Sequence, residues 1–418
     1  MARWQWLLLR ITRRLWVRAS LIGLLGGFTA IIAALAEPYI PWDLPATIGA
    51  EAVDNILNII ASSMLAVTTF SLSIMVAAYA SATSNVTPRA TRLLMEDRVT
   101  QNVLSTFIGS FLFAIVGIII LSTGAYGTRG RAILYLVTIG VIALIVISLL
   151  RWIDHLTRLG RVGETTDRVE AATREAMTAR LKAPYLGGRP AQGNTAPALR
   201  VVTRTVGYVQ HLDMAALDAC AEAMDREIIV SALPGAFAQP GTVLALVAAG
   251  KDGIPDDAMD EAIARAFTIG TERSFEQDPR FGLAVLGEIG NRALSQAIND
   301  SGTAIDVIGR MTRLLAYWAA GAEEQEEPRF VRVSVPPLAP ADLFEDAFLL
   351  LARDGADKIE VQIRLQKALR ALARMGMADF RAAALAQAAL AESRAMAALP
   401  HDADKERLRE TIMAAQNK

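Results

Sequence analysis

Seven polar residues between positions 273 and 300 form the densest group of chemistry-bearing side chains in the sequence: Arg273, Gln277, Asp278, Glu288, Arg292, Asn299 and Asp300. Glu288 and Arg292 stand four apart, a spacing that lets a carboxylate and a guanidinium pair on one helix face. Such a group at a helix junction can hold a ligand or a neighbouring subunit. It can equally cap helices and fix a loop by local salt bridges. Paired carboxylates alone do not make a catalytic centre, which also needs a pocket and perturbed acidities. A second group lies inside an apolar stretch. At 100° per residue, Asn55, Asn58, Ser62, Thr69 and Ser73 fall within an arc of roughly 60°. One polar face on an apolar helix suits a hydrated path for an ion or small solute, and it also suits adhesion between membrane helices.

The motifs of common chemistries are missing from the sequence. There is no phosphate-binding glycine loop followed by Lys-Ser/Thr, no dinucleotide fingerprint, no nucleophile elbow and no His-Glu-x-x-His pair. One cysteine, Cys220, and three histidines, His155, His211 and His401, leave no material for a cysteine-based metal cluster or a disulfide framework. Cys220 reads as core and His155 as interfacial. No catalytic residue, metal or cofactor is assigned, and the chain is read as not being an enzyme.

The elements that carry these groups differ in kind. Of 418 residues, 53% are hydrophobic, above the roughly 45–50% usual for soluble domains. Residues 1–153 hold eleven arginines, no lysine and six acids; the remainder holds 31 basic and 37 acidic residues. Four apolar stretches are long enough to cross a hydrocarbon core, near 15–36, 56–80, 103–122 and 133–152. Arginines before the first stretch, between the second and third, and after the fourth place both termini on the cytoplasmic side. The acidic loop 37–55 falls outside, and only Arg129 and Arg131 run against the rule. The first stretch, with Ala34-Leu35-Ala36 before Glu37, also fits a cleaved secretory signal. Trp4, Trp6, Trp16, Trp42 and Trp152 stand near the predicted boundaries as interfacial anchors. Basic residues cluster at the membrane and not along a nucleic-acid groove.

Thr87-Pro88 opens either an interfacial helix between the second and third spans, with Arg89, Arg92, Glu96 and Asp97 reaching water, or a short solvated connector carrying ordinary positive-inside charges. The run "TPRATRLLMEDRVTQNVLSTFIGSF" resembles the bacterial membrane-protein family known as domain of unknown function 2254. That family carries S-P-R, M-x-D-R-x-x-Q and T-F-I-G in this region. They correspond to Thr87-Pro88-Arg89, Met95-Glu96-Asp97-Arg98 with Gln101, and Thr106-Phe107-Ile108-Gly109. A second block, "RSFEQDPRFGLAVLGEIGNRALSQAINDSGTA", resembles the family's other signature, with Gln296 and Ser301 standing where prolines are usual. The resemblance implies a polytopic protein of the bacterial inner membrane and assigns no activity.

Beyond the membrane half, 167–181 has helical period and 187–197 reads as a linker. Strands are expected at 199–206, 227–233, 242–247 and 330–335, with two Pro-Gly turns flanking Phe237. Helices are expected at 212–225, 342–353, 358–375 and 379–398, and a charged, frayed helix at 402–418. The resulting fold is a four-helix transmembrane domain (1–154), a connecting helix and linker (155–198), a small α/β subdomain (199–255) and a mainly helical cytoplasmic subdomain (256–418). The soluble part is α+β, mostly helical. Two functions stay open. One is a homo-oligomeric channel-like or transport-related protein; the other is a membrane-anchored structural, sensing or scaffold protein whose cytoplasmic domain binds a partner or ligand. The expected partners are the lipid bilayer, further copies of the chain and an ion or small solute, with no nucleic acid.

Overall fold

A computed structural model of the chain describes residues 50–95, 97–123, 128–158, 160–191, 198–248, 257–322 and 324–416, with Ser20, Leu24 and Phe28 before them. The expected first span, 15–36, lies outside the described residues apart from those three, as do Arg3 to Arg18, most of the 37–55 loop and most of the 187–197 linker. The chain divides into two compact units. One holds the described residues of 50–84 and 91–164, the other those of 85–90 and 165–416.

Among the described residues the first unit has three helices long and apolar enough to cross a membrane: α1 (Ala50–Asn85), and, beyond the short α2 (Pro88–Met95), α3 (Arg98–Ser122) and α4 (Thr128–Leu156). The candidate span of α1, Ala52–Ser84, has 33 residues, about 50 Å at 1.5 Å per residue, so it exceeds the roughly 30 Å of a hydrocarbon core. Its buried side, Val53, Leu57, Ile60 and Met64, joins Phe107 and Phe113 of α3 and Leu134 and Ile145 of α4 in one core. Asp97 caps α3, accepting from the Thr100 amide at 2.8 Å. It is therefore buried at 8% exposure and does not reach water as the sequence implied. Trp152 is likewise buried in this core, where a boundary anchor was expected.

Beyond its 85–90 strip, the second unit begins within α5 (Val162–Lys182), at Thr165. Among the described residues it contains eight short strands: β1 (Arg189–Pro190), β2 (Ala198–Val202), β3 (Gly207–Leu212), β4 (Ile228–Val230), β5 (Phe237–Ala238), β6 (Val243–Ala248), β7 (Phe267–Gly270) and β8 (Val333–Val335). Five form a mixed sheet in the order β1-β8-β4-β6-β2; three form an antiparallel sheet, β5-β3-β7. Helices α6 (Met214–Met224) and α7 (Asp257–Arg265) lie among these strands. Leu217 and Ile263 pack with Val209, Ile228, Leu244, Val247 and Val333 in a common core. The α6 cap is the expected Asp213, which accepts from the Ala216 amide. Strand β2 stops at Val202, where its pairing with β6 shifts register, earlier than the β-branched run predicts.

The rest is helical: α8 (Pro279–Ala293), α9 (Ser301–Ala320), α10 (Pro340–Asp354), α11 (Ile359–Leu372), α12 (Ala378–Ala398) and α13 (Asp402–Gln416). Pro279 sits in the first turn of α8 and Pro340 in that of α10, where the missing amide hydrogen costs nothing. On α12 the buried positions, Phe380, Ala384, Gln387, Ala388, Ala391 and Ala395, recur at three and four residues, the stripe of a helix with one packed side. Leu408 and Ile412 of α13 pack against Ala395 and Leu399, so this helix is anchored where a frayed tail was expected.

Candidate functional site

The polar face expected on the second span lies on α1. All five residues, Asn55, Asn58, Ser62, Thr69 and Ser73, are exposed within the chain. The buried residues Val53, Leu57, Ile60, Met64 and Met75 point about 180° away at 100° per residue. Apolar neighbours Leu65, Phe70, Leu72 and Val76 flank the face and are exposed too. The hydroxyls are satisfied locally: Ser62, Thr69 and Ser73 donate to the carbonyls of Asn58, Leu65 and Thr69, four residues back. The Asn58 amide donates to the Asp54 carbonyl at 3.0 Å and to the Asp54 carboxylate at 3.2 Å. Local bonding lowers the cost of a hydroxyl in hydrocarbon. The Asn55 side chain and the Asn58 amide oxygen keep hydrogen-bonding capacity that lipid cannot satisfy.

A cleft of about 800 Å³ lies within the second unit. One wall is Val86-Thr87-Pro88-Arg89, another the outer turns of α8 with the loop after it, and the third the α10–α11 junction. Glu288 lines it. It accepts from the Thr87 hydroxyl at 2.9 Å and from Arg89 Nη1 at 2.5 Å. The expected pairing with Arg292, one turn away, is not made; Arg292 is exposed on the cleft wall and has no ion pair among the described residues. Cations Arg89, Arg292 and Lys358 face acids Glu288, Asp354 and Asp357, a balance that suits a zwitterionic or polar ligand better than a simple anion. Asn291 adds a buried amide oxygen with no partner among the described residues. Hydrogen bonding from Arg353 holds the Asp354 carboxyl below the usual carboxylate range.

Of the seven residues that adjoin one another in sequence, the structure brings Glu288, Arg292 and Asn299 into this cleft. Asn299 takes the left-handed backbone, φ 51°, tolerated by asparagine better than by most residues. Asp300 caps α9, its carboxylate accepting from the Thr303 amide at 3.0 Å and the Thr303 hydroxyl at 2.6 Å. Ser301, at the usual proline position, opens α9 and donates to Glu360 at 2.6 Å. The other three residues serve β3 and α8. Gln277 accepts from the Leu212 amide at 2.9 Å, continuing the edge of β3 with a side chain. Asp278 caps α8 and takes two bonds from Arg273, at 2.8 and 3.1 Å. Burial pushes the Asp278 carboxyl up, against the pull of Arg273. Gly235 lies over Asp278 with φ 93°, and a Cβ there would run into the carboxylate.

A third polar group escaped the sequence reading. In the first unit, His155 Nε2 lies 2.9 Å from Asp97 Oδ2 and 3.1 Å from Thr100 Oγ1, with Trp152 stacked on the ring at 5.7 Å. His155 and Asp97 lie far apart in sequence, on different helices, so no spacing rule links them. Among the described residues no group of three or more His, Cys, Asp or Glu could hold a metal ion. Cys220 is half-buried and burial pushes its thiol up, away from the thiolate a nucleophile needs.

Three apolar helices among the described residues, the first with a polar outward face, together with an α+β unit, mark a membrane protein. The chain belongs to the family described as "Predicted membrane protein (DUF2254)", which it matches over residues 12–371. Among curated proteins it is similar to "Uncharacterized protein Rv1290c" of Mycobacterium tuberculosis and "Uncharacterized protein Mb1321c" of Mycobacterium bovis. Identity is 24% over 276 residues in each case, 64% of this chain and 53% of the relative. The chain thus spans about half the length of the curated relatives it matches. No solved structure matches.

Proposed function

We propose that the protein is a homo-oligomeric, channel-like or transport-related component of the bacterial inner membrane, with both termini in the cytoplasm. The observation that carries this reading is the face of Asn55, Asn58, Ser62, Thr69 and Ser73, exposed on the side of α1 away from its own core. Amides on such a face meet lipid at a cost of several kcal/mol each. Copies of the chain arranged about an axis would turn the same face to water. Few spans enclose no path alone, so the reading requires several copies. The test places single cysteines at Ser62, Thr69, Ser73 and buried Ile60 in a Cys220→Ala background. A small water-soluble thiol reagent should modify the first three and spare the fourth, since a thiol in hydrocarbon hardly ionises. Ser62→Leu or Thr69→Leu should reduce conductance in reconstituted bilayers by narrowing and dewetting the path. Equal protection at all four positions with no conductance above background removes the channel reading.

The 800 Å³ cleft supports a second reading, a membrane-anchored sensing or scaffold protein that binds a polar ligand around Glu288 and Arg292. On that reading Arg292→Ala abolishes ligand or partner binding and leaves stability unchanged.

A further inference from the structure

Arg180, near the end of α5, is 4% exposed. Its guanidinium makes one long bond, Nη2 to the Pro336 carbonyl at 3.4 Å, beyond the 2.7–3.2 Å of ordinary N–H···O bonds. Its Nε donor is buried without an acceptor. The acid whose charge it senses, Asp278, is already held by two bonds from Arg273 and one from the Phe281 amide. Among the described residues no carboxylate lies within ion-pair distance of Arg180. Burial pulls the group down to about 10, so it stays a cation at neutral pH. A guanidinium offers five donors, and a buried cation without a partner is costly.

This arginine lines a cavity of about 280 Å³ within the second unit. Tyr185, Trp318, Leu338 and Phe380 give it apolar walls; Gln325, exposed Met377 and Asp379 also line it, the Asp379 carboxylate accepting from the Phe380 amide at 2.8 Å. The volume falls just under the roughly 300–1,000 Å³ typical of small-molecule sites. The geometry points to a binding site for a small carboxylate with an apolar body. The carboxylate would take paired donors from Arg180, and the body would lie between Trp318, Leu338 and Phe380. A planar carboxylate matches the guanidinium fork in a way a neutral amide does not. The site is separate from the α1 face and from the Glu288 cleft, and it stands or falls independently of either reading.

The test uses the full chain in lipid nanodiscs, with empty nanodiscs as blank, and follows binding by calorimetry. The probes are 3-phenylpropionate, 3-phenylpropionamide and inorganic phosphate. The carboxylate should bind saturably at one per chain, and the amide and phosphate at least about ten-fold more weakly, as loss of a charge-assisted pair or of the apolar contact demands. Arg180→Met should abolish carboxylate binding without lowering the melting temperature, because it removes a cation with one weak bond. Leu338→Trp, which fills the cavity and leaves Arg180 in place, should abolish it as well. It decides the matter if Arg180→Met fails to fold. Equal affinity for acid and amide, binding of phosphate alone, retention of binding in Leu338→Trp, or no binding by the unaltered chain overturns the proposal.

Discussion

Asp300 shows how one residue of a signature can act as a helix cap. Its carboxylate satisfies the Thr303 amide at the start of α9, and replacing a capping aspartate by alanine costs about 1 kcal/mol. Asp300→Ala should lower the melting temperature of the extramembrane unit by about 2–4 °C, read by differential scanning calorimetry. The Thr303 bonds hold the folded-state pKa of Asp300 below its ordinary value. Its contribution is therefore complete above about pH 3.9, the unfolded value, and is lost as pH falls through the folded one. The difference in melting temperature between the unaltered chain and the Asp300→Ala variant should close toward low pH. A difference that persists at about pH 2, below the usual carboxylate range, would place the effect elsewhere. The chemistry of this region was legible in residue type and not in partnership. Spacing shows a helix neighbour such as Arg292, whereas the actual partner of Glu288 is Arg89, 199 positions away.

Among elements, long helices were the easiest to read, because period and composition agree over many residues in α1, α3, α4 and α12. Strand β3 was not legible. It is buried along nearly its whole length, so no alternation marks it, and it carries Gln210 and His211 in the interior. Bonds with the segment after β7 hold it: the Ser274 hydroxyl donates to the Gln210 carbonyl at 3.0 Å and the Gln210 side chain to the Glu272 carbonyl at 2.6 Å. A polar cluster in sequence thus became part of the frame of a sheet. Helices α5 and α8 make a second element-level point. A Cβ at Gly282 would overlap the Thr173 side chain, so the glycine fixes how closely these helices pack. Gly282→Val should destabilise the unit by about 1–3 kcal/mol, the usual cost of overpacking. Pairing it with Thr173→Ala should restore part of that loss. Chemical denaturation of both variants checks this, and no rescue by the second change would reject close packing as the cause.

For the whole molecule, arginine placement predicts an orientation and nothing in a single chain gives copy number. A reporter fused after Lys418 should be active only in the cytoplasm, and one inserted at Thr47 only outside it, following the asymmetry of arginines around the spans. The reverse pair of signals would overturn this topology. Mass measurement in nanodiscs should return a multiple of the 45.0 kDa chain; a strict monomer would remove the inter-subunit path. Copy number stayed hidden because an outward polar face has the same sequence pattern whether a second copy, lipid or water covers it.

The pairing of Thr87 and Arg89 with Glu288 also has a schedule. Translation proceeds at about 5–20 residues per second, so Glu288 leaves the ribosome about 10–40 s after Arg89. The second unit includes both ends of that interval. Its 85–90 strip is made before the third and fourth predicted spans exist, and must remain reachable while they are inserted. A nascent chain arrested shortly before residue 288 should therefore leave the bond after Arg89 open to trypsin, and one released at full length should not. The pairing of Arg89 with Glu288 is thus timed by synthesis: it waits for its partner to be made.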